Sequence, residues 1–227
     1  MINPGNLKSM TAWMVGLAVG TAGFHAYPAE LFRENCETVE PAWVATAENG
    51  GTVEADDSLK HGGKRSIKLG WMPGPAIAPD GTASSQSKPE NACAVCQTRR
   101  GVLVSDAAQY NLSYWIRTEG DIGWKSPQEH AVLKVELRYT VKDEDGREST
   151  VTHWMIDADP HPSWTRITEF KTHPASGYMP GKVLTELTPP PGAGKLQLRF
   201  ILSLNNRTAT LWIDDIVLSR VDDKSPN

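Results

Sequence analysis

Basic runs, helical patterns and internal repeats are missing from this sequence of 227 residues. The formal net charge is −4 and the pI is near 5.9, whereas a nucleic-acid-binding domain normally presents a basic patch. No stretch has the spacing of an amphipathic helix, which leaves an all-β fold. No shift in composition marks a second domain, and the length suits one large domain with a buried core.

Cysteine is scarce, with three residues in the chain. An odd number in an exported protein leaves one thiol unpaired, or paired with another chain. The Cys93-Ala94-Val95-Cys96 motif has no second ligand pair nearby for zinc, and no α/β unit of the kind that carries thioredoxin-like motifs. We favour a Cys93–Cys96 bridge that stiffens a long loop. A bridge from Cys36 to Cys93 or Cys96 is the alternative.

Long hydrophobic runs are also missing. Residues 10–23 are apolar and small but too short to span a bilayer comfortably. Together with the single positive charge before them, they predict a signal peptide or N-terminal leader over residues 1–30, and therefore a secreted protein. An uncleaved anchor and a misassigned start codon are the alternatives. The domain is expected over residues 31–222, followed by a short polar tail at 223–227.

The sequence does contain short alternating runs separated by turn residues, the pattern of a β-sandwich or barrel. Val132 to Val141 alternates strictly, and so does Lys195 to Leu204. A hairpin turn is predicted from Lys142 to Arg147, with Asp145-Gly146 as its signal, and Glu148 to Met155 follows as a strand. The alternation predicts these inward positions: Tyr110, Leu112, Tyr114, Ile116, Leu133, Val135, Leu137, Tyr139, Val141, Leu196, Leu198, Phe200, Leu202 and Leu204.

Two stretches lack this alternation. Met72 to Pro89 is rich in proline, glycine and serine, and Pro160 to Gly194 is rich in proline. Both are expected to be long loops over one end or face of the fold.

The last predicted strand, Leu211 to Leu218, is interrupted by Asp214 and Asp215. Strict alternation would place Trp212, Asp214 and Ile216 on one side, with Ile213, Asp215 and Val217 on the other. One carboxylate would then point to a buried side, where an unpartnered charge costs several kcal/mol. It is therefore expected to hold a cation or a cluster of hydrogen-bond donors, unless the strand lies at a solvated edge.

Four segments in this order resemble the jelly-roll carbohydrate-binding modules appended to xylanases and glucanases. They are Asn35-Cys36-Glu37, the Gly-rich turn and strand from His61 to Leu69, the strand from Tyr110 to Arg117, and the Asp-Asp strand. The resemblance covers residues 31–221. It implies an all-β, two-sheet antiparallel β-sandwich with jelly-roll topology, acting as a monomer that binds polysaccharide without cleaving it.

The resemblance also implies a structural calcium ion that ties the first strand to the last. Its ligands would be the carboxylates of Glu37 and Asp214 and the carbonyls of His61 and Lys64, and calcium takes oxygen ligands of this kind. Cys36 stands where the family more often has a small or acidic residue, which leaves the local geometry open. The alternative is that both acids accept hydrogen bonds from backbone amides.

Sugar is usually held by aromatic platforms, with polar side chains binding the hydroxyl groups. If the alternation holds, the outward residues Trp115, Arg117, Glu136, Arg138, Gln197 and Arg199 form a cleft floor, and Trp154 extends it. Trp71 and Trp124 lie beside Gly-rich loops and are candidates for platforms at loop tips, or for lids over the core. Alternatively Trp115 packs under a loop and the charged residues form a solvated ion-pair ladder. Trp43, Trp164 and Trp212 are expected to be structural.

Two other functions remain open. A glycoside hydrolase needs two carboxylates across a cleft, and Glu136 has no strand acid opposite it, since Asp157 and Asp159 lie at a strand end. A structural or protein-interaction sandwich would have the same core. Exposure of the tryptophans in a groove distinguishes it from a sugar-binding module, and the identity of the glycan depends on platform spacing.

Overall fold

A computed structural model describes residues 30–37, 43–73, 75–77, 83–85, 88–171 and 183–221. The leader expected over residues 1–30 lies outside this range except for Glu30, which begins the first strand. The tail expected at residues 223–227 also lies outside the described residues. Within them there is no helix with the length and hydropathy of a membrane span.

Two antiparallel sheets form a sandwich, as predicted. Sheet A has six strands, in the order β13-β9-β17-β4-β3, with β1 also paired to β17. Its strands are β1 (Glu30–Glu34), β3 (Gly51–Asp56), β4 (Ser66–Trp71), β9 (Gln109–Gly120), β13 (Thr165–Ile167) and β17 (Ala209–Val221). In the pairing of β1 with β17, Glu30 lies opposite Ser219.

Sheet B has seven strands, in the order β10-β11-β16-β7-β2, with β12 paired to β11 and β8 to β16. They are β2 (Trp43–Glu48), β7 (Ala92–Thr98), β8 (Val102–Leu103), β10 (Gly123–Ser126), β11 (Glu129–Lys142), β12 (Glu148–Asp157) and β16 (Ala193–Asn205). Two further antiparallel pairs join β5 (Pro75–Ile77) to β6 (Ala83–Ser85) and β14 (Phe170–Lys171) to β15 (Val183–Leu184).

The stretches expected to be loops therefore contain short strands. The most consequential is β13, which pairs with β9 and extends sheet A. The predicted hairpin turn after β11 is confirmed: the Gly146 N–H donates to the Asp143 carbonyl at 2.9 Å, and Gly146 has φ of 78°, which glycine adopts without steric cost.

The core lies between the sheets and contains all fourteen residues predicted to face inward. Phe200 is at its centre, edge-on to Tyr114 at 5.2 Å and to Trp43 at 6.0 Å between ring centroids. Trp43 is fully buried, as expected of a structural tryptophan. Strict alternation was sufficient to predict these faces because successive side chains of a strand point to opposite sides.

The strict alternation predicted for the Asp-Asp strand is wrong in β17, whereas the expected buried carboxylate with a cluster of donors is confirmed by Asp214. Asp215 has φ of 46° and the pairing with β9 shifts between Asp214 and Val217, which is a β-bulge. The extra residue resets the phase of the strand, so Ile213 and Ile216 both lie in the core. Trp212 lies on the outer side and is nevertheless buried, and its Nε1 donates to Asp56 Oδ2 at 2.8 Å.

Candidate functional site

The outer face of sheet B carries one exposed tryptophan in a row of polar residues. Across four neighbouring strands the row contains Trp154, Glu136, Arg199 and Gln97, each directly opposite the next. Trp154 is 44% exposed. Side chains directly opposite each other in antiparallel strands are in contact range, so the indole has polar groups beside it.

Glu136 and Arg199 form an ion pair within this row. Arg199 Nη1 donates to Glu136 Oε2, and the Glu136 side chain is 5% exposed. Arg199 Nε has no hydrogen-bond partner among the described residues. A buried N–H without a partner is costly, and this one belongs to a side chain on the face that carries Trp154.

Lys134 and Arg138 lie two residues before and after Glu136 on β11, and so share its face. Arg138 is opposite Thr152 on one side and Gln197 on the other. Lys134 is opposite Ile156 and Ile201, and burial lowers the pKa of its ammonium.

Trp124 lies on the same face at the other end of β11, opposite His130. The two rings are stacked, with centroids 4.7 Å apart and planes 14° apart. His130 Nε2 is 3.0 Å from Ser203 Oγ, and burial lowers the pKa of His130. His130 and Glu136 are six positions apart on β11, so the two tryptophans opposite them are about 20 Å apart along the strand direction.

The residues predicted to form one cleft floor are divided between two faces. Glu136, Arg138, Gln197, Arg199 and Trp154 lie on the outer face of sheet B, whereas Trp115 and Arg117 lie on β9 of sheet A. The single floor is therefore wrong. Alternation along a strand shows which residues share a side, but the sheet to which a strand belongs depends on pairings distant in sequence.

Trp115 is stacked against a second ring on sheet A. The His61 imidazole lies 3.7 Å from the indole, centroid to centroid, with an interplanar angle of 14°. His61 also contacts the edge of Trp164, and its Nδ1 is 2.8 Å from Asp215 Oδ2. Arg117 pairs with Glu119 at 3.0 Å. One face of the Trp115 indole is therefore covered by His61, and the side chain is half-buried.

Trp71 packs against the core, and its Nε1 donates to the Asn49 carbonyl at 3.2 Å. This arrangement corresponds to the lid that was the alternative to an exposed platform. The Trp164 ring is half-buried beside His61.

The turn from His61 to Lys64 brings together the residues implied for calcium. Asp214 is fully buried, and its Oδ2 accepts hydrogen bonds from the N–H groups of His61 at 3.0 Å and Gly62 at 3.2 Å. Glu37 Oε1 accepts from the Lys64 N–H. Gly63 has φ of 54°, which glycine adopts without steric cost, and a side chain there would displace the Glu37 carboxylate from its present position. Burial raises the pKa of Asp214, and the N–H groups oppose this shift.

Glu37, Asp214 and the His61–Lys64 turn meet some of the requirements of a hard cation. Two carboxylates converge on one turn, and the implied donors are all oxygens, which suits calcium. Among the described residues, however, no three His, Cys, Asp or Glu side chains cluster in a way that would hold a metal ion. Calcium here would therefore depend on carbonyl oxygens for most of its ligands. Both acids accept hydrogen bonds from backbone N–H groups, which is the arrangement expected as the alternative to calcium.

None of the three cysteines is bridged, so the Cys93–Cys96 bridge is wrong in this structure. The motif lies in β7 and not in a loop, and side chains three residues apart on a strand point to opposite faces. Cys96 is in the core with Cys36, and burial raises the pKa of both thiols. Cys93 is on the outer face of sheet B, opposite Ser203.

Asp157 and Asp159, the acids weighed for catalysis, line a cavity of about 90 Å³ at the edge of the sandwich. Such a volume holds about three water molecules. His161 Nε2 is 2.8 Å from Asp157 Oδ2, and this hydrogen bond raises the pKa of His161. Asp157 is opposite Leu133, on the inward side of sheet B, whereas Glu136 is on the outward side.

Lys134 and His130 were missed as members of the site. The signal for Lys134 was present, because strict alternation puts it on the same side as Glu136 and Arg138. For His130 the pattern of polar outward residues is interrupted in the sequence, because the position between it and Lys134 is the apolar Val132. In the structure Val132 is fully buried.

No protein-family model and no curated protein sequence matches this chain. Among solved structures, a family 16 carbohydrate-binding module is 16% identical, covering 76% of this chain and 89% of that one, with a TM-score of 0.43. The CBM22-1 xylan-binding domain of Paenibacillus barcinonensis Xyn10C is 14% identical, over 86% and 96% of the two chains, with a TM-score of 0.44.

The CBM22-1–GH10 modules of Clostridium thermocellum endo-1,4-β-D-xylanase 10B, complexed with xylohexaose, are similar with a TM-score of 0.50. This match is 12% identical and covers 86% of this chain but 29% of the xylanase chain. At such identity the likeness is one of fold. The chain has the β-sandwich fold that carbohydrate-binding modules have, as the sequence resemblance implied.

Proposed function

We propose that this protein binds polysaccharide on the outer face of sheet B and does not cleave it. The observation that carries the proposal is Trp154, an indole that is 44% exposed in a row with Glu136 and Arg199. An exposed indole is a large, rigid surface for the apolar face of a sugar ring, with little side-chain entropy to lose.

Polar groups beside the indole match what sugar hydroxyls require. The Gln197 amide supplies both donor and acceptor, and the partly exposed Arg199 guanidinium supplies donors. The ion pair with the buried Glu136 fixes Arg199 before a ligand arrives. Such preorganisation reduces the entropy lost on binding.

The separation of Trp124 and Trp154 favours an extended ligand. Both indoles lie on one face, about 20 Å apart along β11. An oligosaccharide chain running along the strand would pass from one aromatic ring to the other. A histidine ring is stacked on Trp124 and another on Trp115, whereas Trp154 is 44% exposed, so Trp154 is the main platform and Trp124 would contribute its free edge or face.

Binding without cleavage is proposed because the acids are not paired across a cleft. Glu136 is engaged by Arg199, and Asp157 lies on the opposite side of sheet B. Hydrolysis needs two carboxylates about 5 to 10 Å apart on either side of the scissile bond. Glu136 and Asp157 cannot both face one bound sugar.

Calcium at the His61–Lys64 turn and export from the cell are parts of the same proposal. The presence of two carboxylates, Glu37 and Asp214, at one turn supports the first, and a bound ion would share these oxygens with the backbone N–H groups that donate to them. The pattern of residues 1–30 supports the second.

The test is retention of the full-length chain on a panel of insoluble and immobilised polysaccharides, followed by tryptophan fluorescence. Retention on at least one polysaccharide, with a shift in emission and with loss of retention in Trp154→Ala, would support the proposal. If the folded protein is retained on none of them, a structural or protein-binding sandwich becomes the better account.

A further inference from the structure

The face around Trp154 has an excess of positive charge, although the chain as a whole is acidic. Between Lys134 and Thr140, β11 and the residues opposite it on β12 and β16 present four cations and one acid on the outer face. The cations are Lys134, Arg138, Lys195 and Arg199, and the acid is Glu136. A net charge of this sign attracts anionic ligands over several ångströms.

Three of these cations have no counterion among the described residues. Arg199 is paired with Glu136, whereas Lys134, Arg138 and Lys195 form no ion pair with any residue that the structure describes. Unpaired cations close together repel each other, and an arriving anion would relieve this repulsion.

Lys134 is the most informative of the three. It is half-buried, and its cross-strand neighbours are the side chains of Ile156 and Ile201. Burial between apolar groups lowers the pKa of its ammonium. A charge that has lost part of its hydration binds an anion more strongly than a fully solvated one does.

The cations lie within reach of a sugar ring on the indole. Lys134 and Arg138 are the diagonal neighbours of Trp154 on either side of Glu136. Diagonal pairs of this kind are about 7 to 8 Å apart, a distance that long side chains span. A substituent on a ring stacked against Trp154 would therefore project toward one or the other.

We propose that the ligand is an acidic polysaccharide, in which a uronate ring stacks on Trp154 and its carboxylate binds Lys134 or Arg138. This inference rests on the proposed function and adds the chemical class of the glycan. Neutral sugars offer hydroxyl groups, which need no unpaired cation, whereas a carboxylate matches both the charge and the donors of Lys and Arg.

The experiment compares matched pairs of polysaccharides by affinity electrophoresis with the full-length protein. Polygalacturonate is compared with its methyl ester, and glucuronoxylan with the same polymer after reduction of its carboxyl groups. Sulfated dextran and dextran are included as a pair in which the charge is a sulfate ester. Each pair keeps the backbone and changes the charge, and each is run at low and at high salt.

We expect retention on a uronate polysaccharide, loss of retention on its uncharged partner, and weaker retention at high salt. Lys134→Met and Arg138→Gln should each weaken binding about five- to tenfold, as removal of one partly desolvated ion pair does. Arg220→Gln is the charge-matched control, because Arg220 is exposed on β17 of sheet A, and it should bind like the wild type.

Equal retention of charged and uncharged partners would overturn this inference and leave the proposed function standing. If sulfated dextran is retained as strongly as the uronate polysaccharides, and Trp154→Ala retains them all equally well, the protein adsorbs by charge alone. This result would also overturn the inference. Retention on no polysaccharide at all would instead refute the proposed function.

Discussion

Replacing Trp154 by alanine should weaken polysaccharide binding about tenfold and leave the fold intact. A tryptophan has a surface of roughly 250 Å², and 44% of it is exposed here, which leaves about 110 Å². Stacking of a sugar ring on one face of the indole would bury about half of this. At about 25 cal/mol per Å², the contact contributes about 1.4 kcal/mol, which corresponds to a factor of ten in Kd.

The assay is isothermal titration calorimetry with a soluble fragment of the retained polysaccharide, together with thermal unfolding of each variant. Unfolding should change by no more than about 0.5 kcal/mol, because an exposed side chain makes few native contacts. Trp154→Phe should bind with intermediate affinity, because a smaller aromatic ring remains.

Trp115→Ala is the matched control on the opposite face. It removes a ring that packs on His61, so it should lower stability and leave the affinity of the folded protein unchanged. Trp154 is not the platform if Trp154→Ala binds within twofold of the wild type, or if Trp115→Ala weakens binding more than Trp154→Ala does.

Three further predictions concern stability. Burial alone would raise the pKa of Asp56, but hydrogen bonds from Ser58 and Trp212 lower it to about 2. Asp56→Asn should therefore destabilise the fold by about 1 kcal/mol at pH 7, and the difference should shrink as pH falls from about 4 toward 2, because the unfolded chain takes up the proton at a higher pH than the folded protein does. His161→Gln should lower the melting temperature most below pH 6, with the difference narrowing toward pH 8. The hydrogen bond to Asp157 raises the pKa of His161, so this stabilisation is present below the ordinary histidine pKa and is lost as pH rises through the folded-state value. If calcium binds the His61–Lys64 turn as proposed, adding a chelator should lower the melting temperature of the wild type, since an ion bound by the native state alone stabilises it.

Each of these predictions has a result that contradicts it. A constant stability difference for Asp56→Asn from pH 7 to pH 3 would mean that the charge contributes nothing. A difference for His161→Gln that does not vary with pH would assign the loss to packing. Identical melting with calcium and with chelator would mean that backbone N–H groups alone satisfy Glu37 and Asp214.

The sequence was sufficient to predict the core because the core depends on a local rule. In the strands from Tyr110, Val132 and Lys195, alternation decides which side of each strand is apolar, and burial follows from it. The Asp-Asp strand departs from this rule because Asp215 adopts a positive φ, and two adjacent acids do not by themselves indicate a bulge.

The candidate site could be predicted in part. Glu136, Arg138 and Trp154 were expected to share a surface, and they do, because β11 and β12 are joined by a short hairpin whose register the sequence indicates. Trp115 was assigned to the same surface, although β9 pairs with β17 at the end of the chain and so belongs to the other sheet. No local pattern encodes that pairing.

The antiparallel pairing of β1 with β17 determines how the protein would respond to a pulling force. Because Glu30 lies opposite Ser219, the first and last described strands enter and leave the sandwich at the same end. A tension that separates these two ends would break the hydrogen bonds between β1 and β17 one at a time, starting at Glu30 and Ser219. β1 would peel away at low force, while sheet B, which holds Trp154 and contains neither of these strands, would bear none of the initial load.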